Sequence, residues 1–233
     1  MRIAIISDIH GNLEALIRVL STVNYLQCDL IYCLGDIVGY GPFPNECVDL
    51  IRERCAVVIK GNHDSGVTGD TPLDKFNQYG IAAIKWTQKE ITRKNLDYLK
   101  RLPYVRVHND ITLTHASPEE PALWKYVMTP TAASRSFKAF TTGLCFIGHT
   151  HVPIIIGEDG SVNEPKKDCR YLINVGSVGQ PRDHNPKSAF GLFSTETNDY
   201  ELMRVEYDVQ TTASAILKRR LPDFLASRLF LGL

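Results

Sequence analysis

The stretch Ile3-Ala4-Ile5-Ile6-Ser7-Asp8-Ile9-His10-Gly11-Asn12 decides how this chain is to be read. Ile3 to Ile6 is a short unbroken apolar run, the pattern of a strand buried on both faces. A polar loop follows from Asp8, and then Leu13, Leu16, Ile17 and Leu20 recur at helical spacing behind Asn12, which is placed to cap. The stretch is therefore one strand-loop-helix unit, and its loop carries a carboxylate and an imidazole.

The unit repeats. Leu30 to Leu34 reads as a strand, Gly35 to Pro44 as a glycine-rich loop and Asn45 to Arg54 as a helix. Val57 to Ile59 reads as a third buried strand running into a loop, Gly61-Asn62-His63-Asp64. Residues 66–102 are more polar and helical in character, with Ala82, Ala83, Trp86 and Ile91 as inner-face candidates. Strands resume at Val105 to Val107 and Ile111 to Leu113, flanking Asn109-Asp110, a tight hairpin turn. Further strands are expected at 144–147, 154–156, 172–175, 189–193 and 202–207, then two short helices parted at Leu221-Pro222. Strands alternating with helices predict a layered α/β fold. We expect one domain over 1–233 with a helical excursion at about 66–102.

Composition narrows the partners. The 233 residues carry 26 basic and 26 acidic side chains, so the balance offers no footprint for a nucleic-acid polymer or an acidic membrane. Six cysteines are scattered without a C-x-x-C pair, which reads as small buried hydrophobes rather than a thiolate metal site or a disulfide framework. The apolar run at the N-terminus is too short for a signal peptide and no run approaches a membrane span, so a cytoplasmic location is expected.

Five of the seven histidines, His10, His63, His115, His149 and His151, fall in polar loops directly after an expected strand. That is the edge where open α/β sheets gather their sites. Asp8-x-His10 can point both side chains the same way in extended geometry. Gly61-Asn62-His63-Asp64 offers oxygen and nitrogen donors after a buried strand. Gly148-His149-Thr150-His151 offers two imidazoles after Cys145-Phe146-Ile147. With Gly35-Asp36 and Thr114-His115, the set reads as a metal centre.

In this order, Asp8-x-His10, Gly35-Asp36, Gly61-Asn62-His63-Asp64, His115 and Gly148-His149-x-His151 resemble the calcineurin-like metallophosphoesterase superfamily, above all its small stand-alone bacterial and archaeal phosphodiesterase-type members. Stretches similar to Gly39-Tyr40-Gly41-Pro42 and Asn174 to Asp183 occur there too, and the resemblance covers nearly the whole chain. It implies a four-layer α/β/β/α sandwich and a two-metal phosphoesterase. Asp8, His10 and His151 would hold one divalent ion, Asn62, His115 and His149 the other, and Asp36 would bridge them. His63 would stay off the metals, contact phosphate and protonate the leaving oxygen as general acid. Two carboxylates against about four positive charges leave the centre positive even with a bridging hydroxide, so an anionic phosphoester is drawn in and attacked. Such ligation suits manganese, iron, zinc or cobalt, with manganese the leading expectation.

One departure stands out. The protein Ser/Thr phosphatases of this superfamily place an aspartate and then an arginine where this chain has Gly39 and Tyr40, which argues against protein phosphatase activity of that type. Arg182 is the candidate replacement for phosphate contact, set against a loop arginine paired with Asp183 or lying in solvent. Trp124 and Tyr126, after Pro118 and Pro121, either line a cleft and stack on a base or serve as packing residues. Asp64 either orients a partner or turns the chain, and Lys218-Arg219-Arg220 reads as a solvated helix end. A small phosphodiester, phosphomonoester or dinucleoside polyphosphate is the expected substrate. The alternative is a non-catalytic scaffold on the same fold, like the retromer subunit of this superfamily, which lacks site residues that this chain retains. A metallo-β-lactamase-like hydrolase is disfavoured because its H-x-H-x-D-H cluster is absent.

Overall fold

In the computed structural model, which describes residues 1–164 and 169–233, the first strand shows why the molecule is layered. Successive side chains of β1 (Arg2–Ile6) point to opposite faces. Ala4 and Ile6 pack with Leu16, Val19 and Val23 of helix α1 (Leu13–Tyr25), whereas Ile3 and Ile5 pack with Phe146 and Ile173, which belong to a second sheet. A strand apolar on both faces needs a cover on each, and here one cover is helical and the other is another sheet.

The order continues with β2 (Leu30–Cys33), α2 (Pro44–Arg54), β3 (Val57–Val58), then α3 (Asn62–Thr68), α4 (Gln78–Glu90) and α5 (Arg93–Lys100). After these come β4 (Val105–His108), β5 (Ile111–Thr114), α6 (Pro130–Ser136), β6 (Leu144–Ile147), β7 (Ile154–Gly157) and β8 (Tyr171–Asn174). The chain goes on through β9 (Ser188–Ser194), β10 (Asp199–Val205), α7 (Val209–Lys218) and α8 (Asp223–Ser227). The first sheet has the order β10-β9-β1-β2-β3 and the second β4-β5-β6-β8-β7. In each, three central or neighbouring strands run parallel, β1-β2-β3 and β5-β6-β8, and the remainder are antiparallel. Helices α1, α2 and α5 cover the outer face of the first sheet through Val48, Ile51 and Leu99 among others. Ala133 of α6, with Phe137 and Phe140, covers Cys145, Ile147 and Leu172 on the outer face of the second. The result is the four-layer α/β/β/α sandwich.

The sequence reading and the structure part in four places. Asn62, His63 and Asp64 form the first turn of α3 rather than a loop, because Asp64 at the third helical position accepts from the Gly61 N–H at 3.0 Å and satisfies that helix end. Strand β3 correspondingly stops at Val58. Helix α6 was not expected from the pattern. It is one short element, started by Thr129 accepting from Ala132 N and by Pro130 at the first position, and buries little beyond Ala133 and Ser136. Strand β10 begins at Asp199 and ends at Val205, since it pairs with β9 along its whole length, from Asp199 opposite Ser194 to Val205 opposite Ser188.

The Asn109-Asp110 turn joins β4 to β5 with both residues at positive φ, 50° and 58°, as a two-residue hairpin requires. All six cysteines are free thiols, with Cys33, Cys47 and Cys145 buried. No helix among the described residues is long and apolar enough to cross a membrane. Phe146 fills the space between the sheets with no exposure. Phe146→Ala is therefore expected to lower the unfolding free energy by about 3–5 kcal/mol in a urea titration; a loss near zero would mean the two sheets do not share this core.

Candidate metal centre

Both sheets point the carboxyl ends of their parallel strands at one place. Asp8 follows β1, Asp36 follows β2, Asn62 follows β3, His115 follows β5, and His149 and His151 follow β6. The loops are tied to one another by main-chain bonds, Asp8 N to Gly35 O at 3.0 Å, His10 N to Asp36 O at 2.9 Å and Gly148 N to His115 O at 2.9 Å. His149 N donates to Asp8 Oδ2 at 3.0 Å and so joins the two sheets. Asp8, His10, Asp36, His149 and His151 all hold positive φ, between 51° and 68°. Non-glycine residues adopt that conformation at a cost of order 1–3 kcal/mol each and hold it where the surroundings impose it.

Two glycines permit the approach. A Cβ at Gly61 would lie 2.1 Å from Asp36 Oδ1, and one at Gly148 would lie 2.0 Å from Ser7 Oγ and 2.4 Å from Asp8 Oδ2. The carboxylates thus rest directly on bare backbone from the neighbouring loop. Asp64 binds the loops further, since its Oδ1 accepts from Ile37 N and Val38 N and its Oδ2 from Gly61 N. That answers the question the sequence left open: Asp64 orients two loops at once.

Each of four imidazoles spends one ring nitrogen on a backbone carbonyl. His10 Nδ1 faces Val38 O at 3.2 Å, His115 Nδ1 faces Leu34 O at 2.8 Å, and His151 Nδ1 faces Gln180 O at 2.5 Å. His149 uses Nε2 instead, facing Trp124 O at 3.0 Å. A carbonyl only accepts, so the proton sits on the nitrogen beside it and the other nitrogen of the neutral ring presents a lone pair. Those lone pairs converge. His10 Nε2 and His151 Nε2 are 3.1 Å apart, and His151 Nε2 is 3.1 Å from Asp8 Oδ1, which is buried and receives no hydrogen bond. His115 Nε2 lies 3.1 Å from Asn62 Oδ1 and 3.4 Å from Asp36 Oδ2.

Donor atoms of Asp8, His10 and His151 fall within 4.8 Å of one another, as do those of Asp36, His115 and His149, and those of His10, Asp36 and His63. Acceptors packed this closely repel unless a cation lies among them, and a mixed oxygen and nitrogen set without thiolate fits a divalent metal ion. Orienting the ligand imidazoles through the opposite nitrogen is how metal sites ordinarily fix them.

The electrostatics agree. Burial pushes His63 down to about 4 and His149 down to about 3, and it lowers His10 and His151 as well. His115 goes the other way: burial works against its charged form, but Asp36 and Asp8 outweigh it and raise the ring to about 9. Burial would raise Asp8 and Asp36 too, yet the neighbouring histidines hold both carboxyls low. Without a cation the two carboxylates recruit a proton onto His115. Burial and then Asp36 lift Asp64 to about 7.

The centre opens into a cavity of about 570 Å³ whose lining includes Asn62, His63, His149 and His151 together with Tyr40, Trp124, Tyr126 and Arg182. All eight side chains singled out in the strand-end loops are thus in one place, and Arg182 shares their cavity. Asp183 pairs with Arg204, not with Arg182, which hydrogen-bonds Gln180 Oε1 at 2.8 Å and lies 5.7 Å from the Tyr40 ring centroid. The ring of Tyr40 is 4.4 Å from that of His63. Sequence reasoning missed the carbonyls of Leu34, Val38, Trp124 and Gln180, which leave no trace in residue identity. The Gly61-x-x-Asp64 spacing was a readable signal for the helix start.

Buried carboxylates and imidazoles at the shared edge of two sheets, opening to a polar cleft, define a metal-dependent hydrolase of phosphoric esters. The chain belongs to the calcineurin-like phosphoesterase family, whose model matches residues 1–153. The uncharacterized protein MJ0912 of Methanocaldococcus jannaschii is 44% identical over 99% of this chain and 98% of its own length. A metallophosphoesterase from Sphaerobacter thermophilus superimposes with a TM-score of 0.90 at 40% identity, covering 100% of this chain and 99% of that one. A symmetrical bis(5'-nucleosyl)-tetraphosphatase of Yersinia pestis is 27% identical over 122 residues, 48% of this chain and 40% of its own length.

The depressed histidines make a stability prediction for metal-stripped protein. A buried imidazole favours the folded state above its ordinary value of 6.5, and that advantage is lost as pH falls toward about 4 for His63 and about 3 for His149. His115, raised to about 9, and Asp64, raised to about 7, take up protons on folding and offset part of that loss, His115 between about 9 and 6.5 and Asp64 between about 7 and 3.8. With four imidazoles depressed against two groups raised, the melting temperature of the metal-free protein should be lower at pH 5 than at pH 7.5. A flat profile by differential scanning calorimetry would contradict the burial of these rings in their neutral form.

Proposed function

We propose that this chain hydrolyses a small phosphoester with two divalent metal ions. Asp8, His10 and His151 hold one ion, Asn62, His115 and His149 hold the other, and Asp36 is shared. The observation that carries this reading is that three carbonyl-locked imidazoles, His10, His115 and His151, turn their free nitrogens to within 3.9 Å of the unpartnered Asp8 Oδ1, while the fourth, His149, groups with Asp36 and His115. Bound there, the ions supply water activation at neutral pH and neutralise phosphate charge. Residues 1–233 act as one unit in this reading, since Asp8 and Asp36 come from the first sheet and His115 and His149 from the second.

The chain's own groups do the rest. His63 lies at the cavity wall against Asp36, its N–H donating to Asp36 Oδ1 at 2.8 Å, and its side-chain Nδ1 is buried without a partner. A Cβ at position 39 would meet that Nδ1 at 2.5 Å, so glycine there gives the ring its place. No carboxylate from position 39 can hold a proton on His63, and burial disfavours its charged form. An arriving phosphate anion supplies the missing counter-charge, so the ring binds and protonates the substrate's leaving oxygen as a pair with it. Arg182, held over Tyr40, offers the guanidinium fork to non-bridging phosphate oxygens. The cavity supports a small substrate such as a phosphodiester, phosphomonoester or dinucleoside polyphosphate, with manganese the first metal to try.

Three variants separate these roles on a chromogenic phosphodiester, with metal content measured alongside. Asp36→Asn should lose both ions and all turnover. His63→Ala should keep its metal and lose roughly 10²- to 10⁴-fold in kcat; metal loss instead would make His63 a ligand, as its distance to His10 and Asp36 allows. Arg182→Ala should raise KM about tenfold or more, and an unchanged KM would remove it from the substrate site. Purified protein with intact metal and no turnover on any phosphoester would favour the scaffold.

A further inference from the structure

The cavity is far larger than a bare phosphate needs, at about 570 Å³ within the range of ~300–1,000 Å³ typical of organic ligands. Its wall above the metal centre carries two aromatic side chains from the segment between β5 and α6, and the structure gives them different work. Trp124 is fixed in place. Its indole Nε1–H donates to Thr71 Oγ1 at 3.0 Å, its ring packs at 5.6 Å from Tyr104 and 5.9 Å from His115, and its carbonyl holds His149. Trp124 is a positioning residue.

Tyr126 is different. One face of its ring stacks on His149, with centroids 4.3 Å apart and planes inclined by 26°. Yet the residue is 56% exposed and lines the cavity, next to Leu123, which is 60% exposed. An aromatic ring stacked on one side and more than half exposed, in a cavity that also presents an exposed leucine, leaves apolar surface available inside a binding cleft. Phe76 and Lys75 line the same cavity.

We propose that Tyr126 is the platform for a planar aromatic group of the substrate, extending the His149–Tyr126 stack by one ring, and that the natural substrate is a phosphoester bearing a nucleobase. The inference rests on the phosphoesterase reading of the adjoining centre and names the substrate class that centre serves. With phosphate at the metal centre, a base on the outer face of Tyr126 lies two ring spacings from His149, the 4.3 Å already present and a further ~4.5–7 Å, so the ribose runs outward along the cavity between phosphate and base. Stacking needs only a π face, so the platform selects for a base without choosing which one.

Adenosine 5'-monophosphate and ribose 5-phosphate carry the same 5'-phosphate and differ in the base, which makes them the probes. Calorimetric titration of manganese-loaded protein should give a dissociation constant about 5- to 100-fold lower for adenosine 5'-monophosphate. The ratio of the two constants should collapse toward one in Tyr126→Ala and be retained in Tyr126→Phe, with metal content confirming an intact centre in each variant. A ratio near one in the unaltered protein, or a ratio that survives Tyr126→Ala, overturns the inference. So does failure of both probes to bind a protein that still hydrolyses the chromogenic phosphodiester. Failure of both probes together with absent metal-dependent hydrolysis would instead bring down the phosphoesterase reading beneath it.

Discussion

Two buried carboxylates and a ring of imidazoles with their lone pairs turned inward cannot share so small a space unless positive charge lies among them. Every carbonyl that accepts from one of these histidines pushes the opposite nitrogen into the role of acceptor, and the acceptors then crowd to about 3 Å. Each such arrangement costs desolvation without return in the absence of a cation. The rest of the fold is built to sustain this conflict, and a divalent ion resolves it.

Sustaining it requires stiffness. Five of the side chains sit at positive φ, and four loops meet in two pairs through Gly61 and Gly148, with no room for a Cβ. Such strain is held by what surrounds it: a core between the sheets made of Ile3, Ile5, Phe146 and Ile173, and helices that clamp both outer faces. Asp64 adds a local brace by gathering three backbone N–H groups from two loops. A centre set in advance to within fractions of an ångström need not reorganise when charge develops on a substrate, which is where catalytic stabilisation originates.

Gly39-Tyr40, in place of a charged pair, changes how the cleft wall beside His63 is built. Glycine makes space for the His63 ring, and Tyr40 packs between that ring and Arg182. An arginine distant in sequence thereby reaches the cleft by way of an aromatic face. The cleft keeps a positive charge in Arg182, while position 39 offers the histidine no carboxylate.

Much of this was legible in residue order. Unbroken apolar runs such as Ile3 to Ile6 announced strands buried on both faces, and polar side chains placed just beyond them had to collect at one sheet edge, because parallel strands end together. Short elements with little burial, such as α6, and the helical first turn at Asn62 escaped, since periodicity needs length and a cap can start a helix inside what looks like a loop. Sequence alone determined the candidate donors, their order along the chain and the layered class, because those depend on residue type and spacing. Tertiary structure alone decided which nitrogen of each histidine faces inward, that Asp183 goes to Arg204 and leaves Arg182 to the cleft, and that Trp124 is held while Tyr126 is open. Those outcomes depend on backbone carbonyls and on neighbours far apart in the chain, and neither is written in the identity of any one residue.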